Sequence, residues 1–304
     1  TPSYTGADVS NYSITNHANI TANITTKALT VSGITTSNKT YDGNTVATLN
    51  TSSILYSGLV AGDTFSGSYT GAFANANVGT GKTVTISPTY SGADVSNYNI
   101  QNHSTITADI SKKALTATAS ASNKVYNGNT TATTTLTLSG LIGSETLGQS
   151  VGSTFNNKNV GSSKTVTVNS ITLADGSNGG LAGNYSISPG QTTTANVTAK
   201  SLTVSGITSA NKTYDANTTA ALNTSSVNYG GLISGDTLTG TYSGVFNNAN
   251  VGTGKTVTIT SSYSGADLNN YSITDQASTT ANVTAKALTA TASASNKVYD
   301  GNNT

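Results

Sequence analysis

Cysteine, methionine and tryptophan are missing altogether from these 304 residues, and there are only three prolines. Without cysteine the chain can build neither a disulfide framework nor a thiolate metal site. Charge is nearly as scarce: 8% of residues are charged and the formal net charge is +1. Nucleic-acid binding needs clustered lysine and arginine against phosphate, so this balance argues against such a partner. No stretch approaches the roughly 18 uninterrupted apolar residues of a membrane helix. No basic segment followed by an apolar run opens the chain as a secretion signal would. The sequence starts at Thr1 inside a repeat. It therefore reads as part of a longer chain, and the missing signal says nothing of where that chain goes.

What is present is Thr, Ser, Asn and Gly, which form strands and turns rather than helices. It is also repeated. KALT at Lys27 returns at Lys113, as KSLT at Lys200 and as KALT at Lys286, in steps of 86, 87 and 86 residues (113 − 27, 200 − 113, 286 − 200). FANANVGTGKTVTI at Phe73 returns at Phe155 and Phe246, and SNYSI at Ser10 returns at Ser96, Gly183 and Asn269. The division is therefore 1–26, the C-terminal part of a repeat; 27–112, 113–199 and 200–285, three complete repeats; and 286–304, the start of another. The repeats at Lys27 and Lys200 resemble each other more than the one between them, so two kinds alternate. Units of this size exceed those of solenoids and match a small domain with its own core.

Within a repeat, Val84 and Ile86 alternate with threonines, as do Leu136 and Leu138, and Leu202 and Val204. Period-2 alternation broken by turn clusters such as YDGN, VGTG and GADVSN predicts roughly seven half-buried strands per copy. The expected fold is all-β: a tandem array of small antiparallel, Ig-like β-sandwich domains forming an extended rod. At every junction lysine the parity of the apolar positions changes, from Ile24 to Leu29, Ile110 to Leu115, Val197 to Leu202 and Val283 to Leu288. A parity change reverses the inward face, so the chain passes from one core to the next. No proline or glycine run intervenes, and the array should be stiff.

The stretch NKTYDGNT at Asn38 returns as NKVYNGNT, NKTYDANT and NKVYDGNN. Tyr41, Asp42 and Lys39 could supply an acid, a base and a cation. Yet Asp42 becomes Asn127 in the second copy and Gly43 becomes Ala216 in the third, beside Tyr126, Tyr214 and Asp215. Asparagine keeps a turn acceptor but is no base, so the cluster reads as a turn with tyrosine as its packing anchor. Ala216 suggests that the glycine is convenient rather than required. GTGKT at Gly79 and Gly252 looks like the end of a phosphate loop. Ala76 and Ala249 replace the first glycine, a strand follows, and the middle copy reads GSSKT. GADVSNY places Asp94 four residues before Tyr98, which raises calcium, but one carboxylate per copy is few and Leu181 stands there in the second. The alternative is a tyrosine corner, filled by Tyr12, Tyr98, Tyr185 and Tyr271.

His17 and His103 correspond, but Gln276 follows them in the series, and a lone histidine reads as a surface residue. No GxSxG elbow is present. Lys82, Lys164 and Lys255 recur near asparagines, which raises a Lys–Asn isopeptide bond. Asn38–Thr40 is one of many Asn-X-Ser/Thr acceptors that this composition produces. No cofactor and no catalysis are expected.

LTATASASNKVYDGN at Leu288, NVGTGKTVTI, SGADVSNYNI and TADI before KALT resemble the YDG-type repeats of large bacterial surface proteins, and the related MBG-type repeats, over nearly the whole chain. The resemblance implies a secreted, extracellular location at the bacterial cell surface, in adhesins of the filamentous-haemagglutinin-like kind. It brings no catalytic residues with it. The expected role is a structural stalk whose partners are neighbouring repeats, with self-association into filaments through strand edges as a variant. A second reading is a glycan- or surface-binding module presenting Tyr56, Tyr69, Tyr229 and Tyr242, residues without tyrosine equivalents in the middle copy. Exposure of those rings would favour it, and burial would not.

Overall fold

The computed structural model describes residues 1–17 and 19–304, and they are all-β apart from single 3-10 turns. No helix among them is long and apolar enough to cross a membrane. The first repeat has ten strand segments, four only two residues long. Three form a small sheet with Lys27–Ser32 at its centre, between Leu55–Ser57 and Tyr98–Gln101. Five form a larger sheet in the order Lys39–Thr40, Thr105–Ser111, Gly79–Ser91, Ser66–Phe73, Val46–Ala47. The third repeat reproduces both sheets with the same order.

The expected wholly antiparallel pairing is corrected by two parallel pairings in each of these repeats. Lys27–Ser32 runs parallel to Tyr98–Gln101, with Leu29 opposite Ile100. Lys39–Thr40 runs parallel to Thr105–Ser111. The first strand therefore lies beside a strand some 70 residues later (98 − 27 = 71), with most of the repeat as the crossover. Local alternation cannot reveal such a pairing, because period 2 is common to both directions.

Alternation does set which side chains are inside. Leu29 and Val31 of the small sheet are buried, as are Val84 and Ile86 of the long Gly79–Ser91 strand. Val31, Ile34 and Ile86 form a core between the sheets, flanked by Tyr56, Tyr69, Tyr90, Ile100 and Ile106. A second set, Ala47, Phe73, Val84, Ala108 and Ile110, is buried on the larger sheet. Its counterpart in the third repeat is Ala220, Phe246, Val257, Ala281 and Val283. Ile110 and Leu115 are both buried despite their opposite parity, and so are Val197 and Leu202.

The middle repeat departs from the pattern. Its five-stranded sheet is intact, but the small sheet separates into two pairs, Lys113–Ala114 with Tyr185–Ser186 and Thr116–Ala121 with Thr134–Ser139. The chain's two compact units divide it at the same place. Residues 140–148 and 174–187 belong with residues 1–115, and the remainder belongs with residues 188–304. Compactness therefore does not follow the repeat boundaries. The reason lies in the side chains at the edges of the repeats.

Candidate functional site

The NKTYDGNT turn is held by its lysine. Lys39 Nζ donates to Asn44 O at 2.9 Å, Asn44 Oδ1 at 3.0 Å and Val46 O at 3.1 Å. It also pairs with Asp42 at 2.7 Å and lies 5.6 Å over the Phe73 ring. Asp42 accepts the Asn44 amide and Asn44 accepts the Val46 amide, two Asx turns in series. Lys124 and Lys212 make the same contacts with Asn129 and Asn217. Asn127 takes the place of Asp42 in the second copy and Asp215 in the third, each accepting the amide two residues on.

The tyrosine does something else. Tyr41 and Tyr126 are 4% and 1% exposed, whereas Tyr214 in the same sequence context is 38% exposed. A residue anchoring its own turn would be equally buried in all three. Tyr41 Oη instead donates to Glu145 Oε1, 104 residues away in the next repeat, at 2.6 Å. Tyr126 Oη donates to Asp236 Oδ2, again in the next repeat, at 2.8 Å. The reading of this tyrosine as an anchor for its own turn is corrected: it is a plug that enters the following repeat.

The socket is built on the single 3-10 turns Val95–Asn97, Ala182–Asn184 and Leu268–Asn270, each ending in asparagine and followed by tyrosine. Tyr185 Oη accepts the Ile142 amide at 3.0 Å and donates to Glu145 Oε2 at 2.6 Å. Tyr271 Oη accepts the Ile233 amide at 2.9 Å and donates to Asp236 Oδ2 at 2.6 Å. Tyr98 does the same with the Val60 amide and Asp63. These hydroxyls do bond upstream backbone, as a tyrosine corner would. The backbone is a loop 38 to 43 residues earlier, however, and a carboxylate completes the arrangement. Tyr12, at the same place in the 1–26 segment, is exposed. Plug and socket rings meet edge to face, Tyr41 on Tyr185 at 5.3 Å and Tyr126 on Tyr271 at 5.6 Å. Such a pair contributes about 0.5–1.5 kcal/mol beyond its buried area.

A second tie crosses each junction. The Val78 amide donates to Asn184 Oδ1 and the Val160 amide to Asn270 Oδ1, both at 2.9 Å. Asn184 and Asn270 are buried, whereas Asn97 at the equivalent place is exposed. Around Tyr126 the core is continuous: Phe155, Val166 and Val197 of one repeat share a cluster with Leu202, Val204 and Ile259 of the next. In the first repeat, Val60, Asp63, Asn97 and Tyr98 line an open cavity of about 440 Å³.

Burial and the neighbouring Glu145 carboxylate push the Tyr41 phenol up to about 12, and burial with Asp236 does the same to Tyr271. Burial also acts on Asp236, but the hydrogen bonds from Tyr271, Lys158 and Tyr126 outweigh it and hold that carboxyl below its ordinary value.

The glycine expectation is corrected as well. Gly43 and Gly128 have φ of 78° and 80°, and Ala216 is forced to 70°. A Cβ on Gly43 would stand 2.8 Å from Ile142 Cγ2, and one on Gly128 2.9 Å from Ile233 Cγ2. At both closed junctions, backbone geometry and contact with the neighbour call for glycine.

The GTGKT segments open the strands Gly79–Ser91 and Gly252–Ser264 with a bulge. Gly81, Ser163 and Gly254 take positive φ there. Their amides are capped at 2.7 Å by Asp109, Asn196 and Asn282. Asp94, the calcium candidate, accepts the Thr64 amide and hydroxyl. The lone histidines are expected at the surface, and Gln276 stands at the equivalent place in the third repeat. It clips both backbone groups of Ile207, whereas His103 is half-buried and His17 exposed. Lys82 and Lys255 donate to the side-chain oxygens of Asn75 and Asn248, and Lys164 to that of Asn157. Among the described residues no carboxylate lies within ion-pair reach of these three lysines. Tyr56 and Tyr69 share a hydroxyl contact at 3.2 Å, as do Tyr229 and Tyr242 at 3.0 Å. All four rings are half-buried against the core between the sheets.

The YDG domain family matches residues 25–108, 111–195 and 198–281. The chain belongs to that family. No curated protein matches it. In the first repeat, Lys39, Asp42 and Asn44 thus serve the turn, and Tyr41 and Gly43 the junction. The residues missed in the sequence are the socket acids Asp63, Glu145 and Asp236. They recur within SGLVAGDTF, SGLIGSETL and GGLISGDTL, so an acidic position present in every copy was the available signal.

Proposed function

We propose that this chain is a stalk or spacer segment of a bacterial cell-surface adhesin or surface filament, with the YDG repeats as sandwich-like modules in an extended, stiff rod and no catalytic role. The observation that carries this reading is the burial of Tyr41 and Tyr126 against acids of the repeat that follows. A module that ties itself to its successor through buried hydrogen bonds and a continuous core suits a load-bearing, length-setting element. A set of independent binding beads would not need those ties. The glycan-binding alternative loses support, because the tyrosines it needs are half-buried with their hydroxyls engaged.

Small-angle scattering and single-molecule stretching of the full chain test the rod. The expected result is an elongated particle that resists bending at the repeat boundaries. A freely hinged or collapsed particle would overturn it. Protease accessibility of the parent protein on intact cells tests the location: protection from added protease would remove the surface role.

A further inference from the structure

The two closed junctions use their carboxylates differently. Glu145 spends one oxygen on each tyrosine, Oε1 on Tyr41 and Oε2 on Tyr185. Asp236 takes both tyrosines on Oδ2 and leaves Oδ1 to Lys158 Nζ at 2.9 Å. Lys158 also reaches Asp267 Oδ1 at 3.2 Å and lies 5.8 Å over the Tyr126 ring. The Asp236 side chain is only 3% exposed.

The matching positions at the other junction carry no charge: Ala76 stands where Lys158 is, and Leu181 where Asp267 is. The pattern follows the two kinds of repeat. The first repeat repeats the acidic face with Asp63 and Asp94, and the third repeats the lysine-free edge with Ala249. A lysine-free edge set on an Asp/Asp face would leave two shielded carboxylates without a cation, a costly arrangement. A lysine-bearing edge set on the Glu/Leu face would meet a carboxylate whose oxygens are both engaged and an apolar side chain.

We propose that these residues form a neighbour code. Lys158 is the specificity-determining residue of one edge and the Asp236–Asp267 pair its receptor, so that a lysine-bearing repeat docks before an Asp/Asp repeat and a lysine-free repeat before a Glu/Leu repeat. The two kinds then alternate by recognition. Such a code operates in any array of these repeats, surface stalk or not.

Hydrogen exchange on the full chain tests it. The Ile233 and Val160 amides report the lysine junction, and the Ile142 and Val78 amides report the other. Lys158→Asp is expected to raise exchange at Ile233 and Val160 at least tenfold while leaving Ile142 and Val78 unchanged. Combining it with Asp267→Lys should restore most of the protection. Unchanged exchange in Lys158→Asp overturns the code. So does an equal loss in the double variant, because the lysine would then act only through its packing on Tyr126. A transplant supplies the second arm. Leu181→Asp alone should loosen the first junction and Leu181→Asp with Ala76→Lys should close it again. If the added lysine makes no difference, the code fails.

Discussion

Replacing one phenol hydroxyl at three equivalent positions separates a turn anchor from a plug. Tyr126→Phe deletes the bond to Asp236 but keeps the ring against Tyr271. Asp236 retains Tyr271 and Lys158 as partners, so the carboxylate is not stranded. The expected cost is that of one hydrogen bond to a charged acceptor, about 1.5–3 kcal/mol, or roughly a 10- to 150-fold shift toward the open junction. Tyr41→Phe should behave alike through Glu145. Tyr214→Phe removes a hydroxyl from a partly exposed ring and should change stability by less than about 0.5 kcal/mol. Denaturant unfolding gives the overall cost. Exchange of the Ile233 amide, which donates to Tyr271 Oη in the same socket, locates it. Equal losses at Tyr126 and Tyr214 would refute the plug, because only a role inside the turn is common to both.

The remaining predictions use the same comparison between copies. Gly43→Ala should destabilise by more than about 1 kcal/mol, from positive φ and the approach to Ile142, while Ala216→Gly should be neutral or stabilising by up to about 1 kcal/mol; thermal unfolding of the two variants decides. Asn184→Ala leaves the Val78 amide unpaired and should cost about 1–3 kcal/mol, whereas Asn97→Ala at the exposed equivalent should cost almost nothing in the same measurement. Free tyrosine titrates near 10 and Tyr41 and Tyr271 near 12. The contribution of these neutral phenols is therefore complete below about pH 10 and lost as pH rises through about 12. Tyrosinate absorbance followed together with unfolding should show the two events in the same window.

Local patterns made the strands and the turns legible, because both are set within a few residues. Threonine alternating with Val84 and Ile86 marks a half-buried strand whatever its neighbours do, and Asp42 followed by Asn44 closes an Asx turn by itself. Neither pattern says which strand lies alongside Lys27–Ser32, because that partner lies some 70 residues on. The tyrosine was misread for a related reason. Tyr41, Tyr126 and Tyr214 stand in nearly identical heptapeptides, yet two are buried and one is not, so nothing inside the heptapeptide can determine the burial. Both buried rings meet an acid carried by a loop of the following repeat, Glu145 or Asp236. A repeat in such an array must encode two complementary edges on one unit, a plug toward its successor and a socket toward its predecessor. Their residues are widely separated within the copy and meet only between copies. Variation between copies, which at Asn127, Ala216 and Leu181 looked like tolerance in a turn or corner, therefore has to be judged by the neighbour each residue faces. Leu181 is the instructive case. Against Asp94 and Asp267 it looks like the loss of a ligand, but it accompanies Ala76 in place of Lys158, so both charges are absent together.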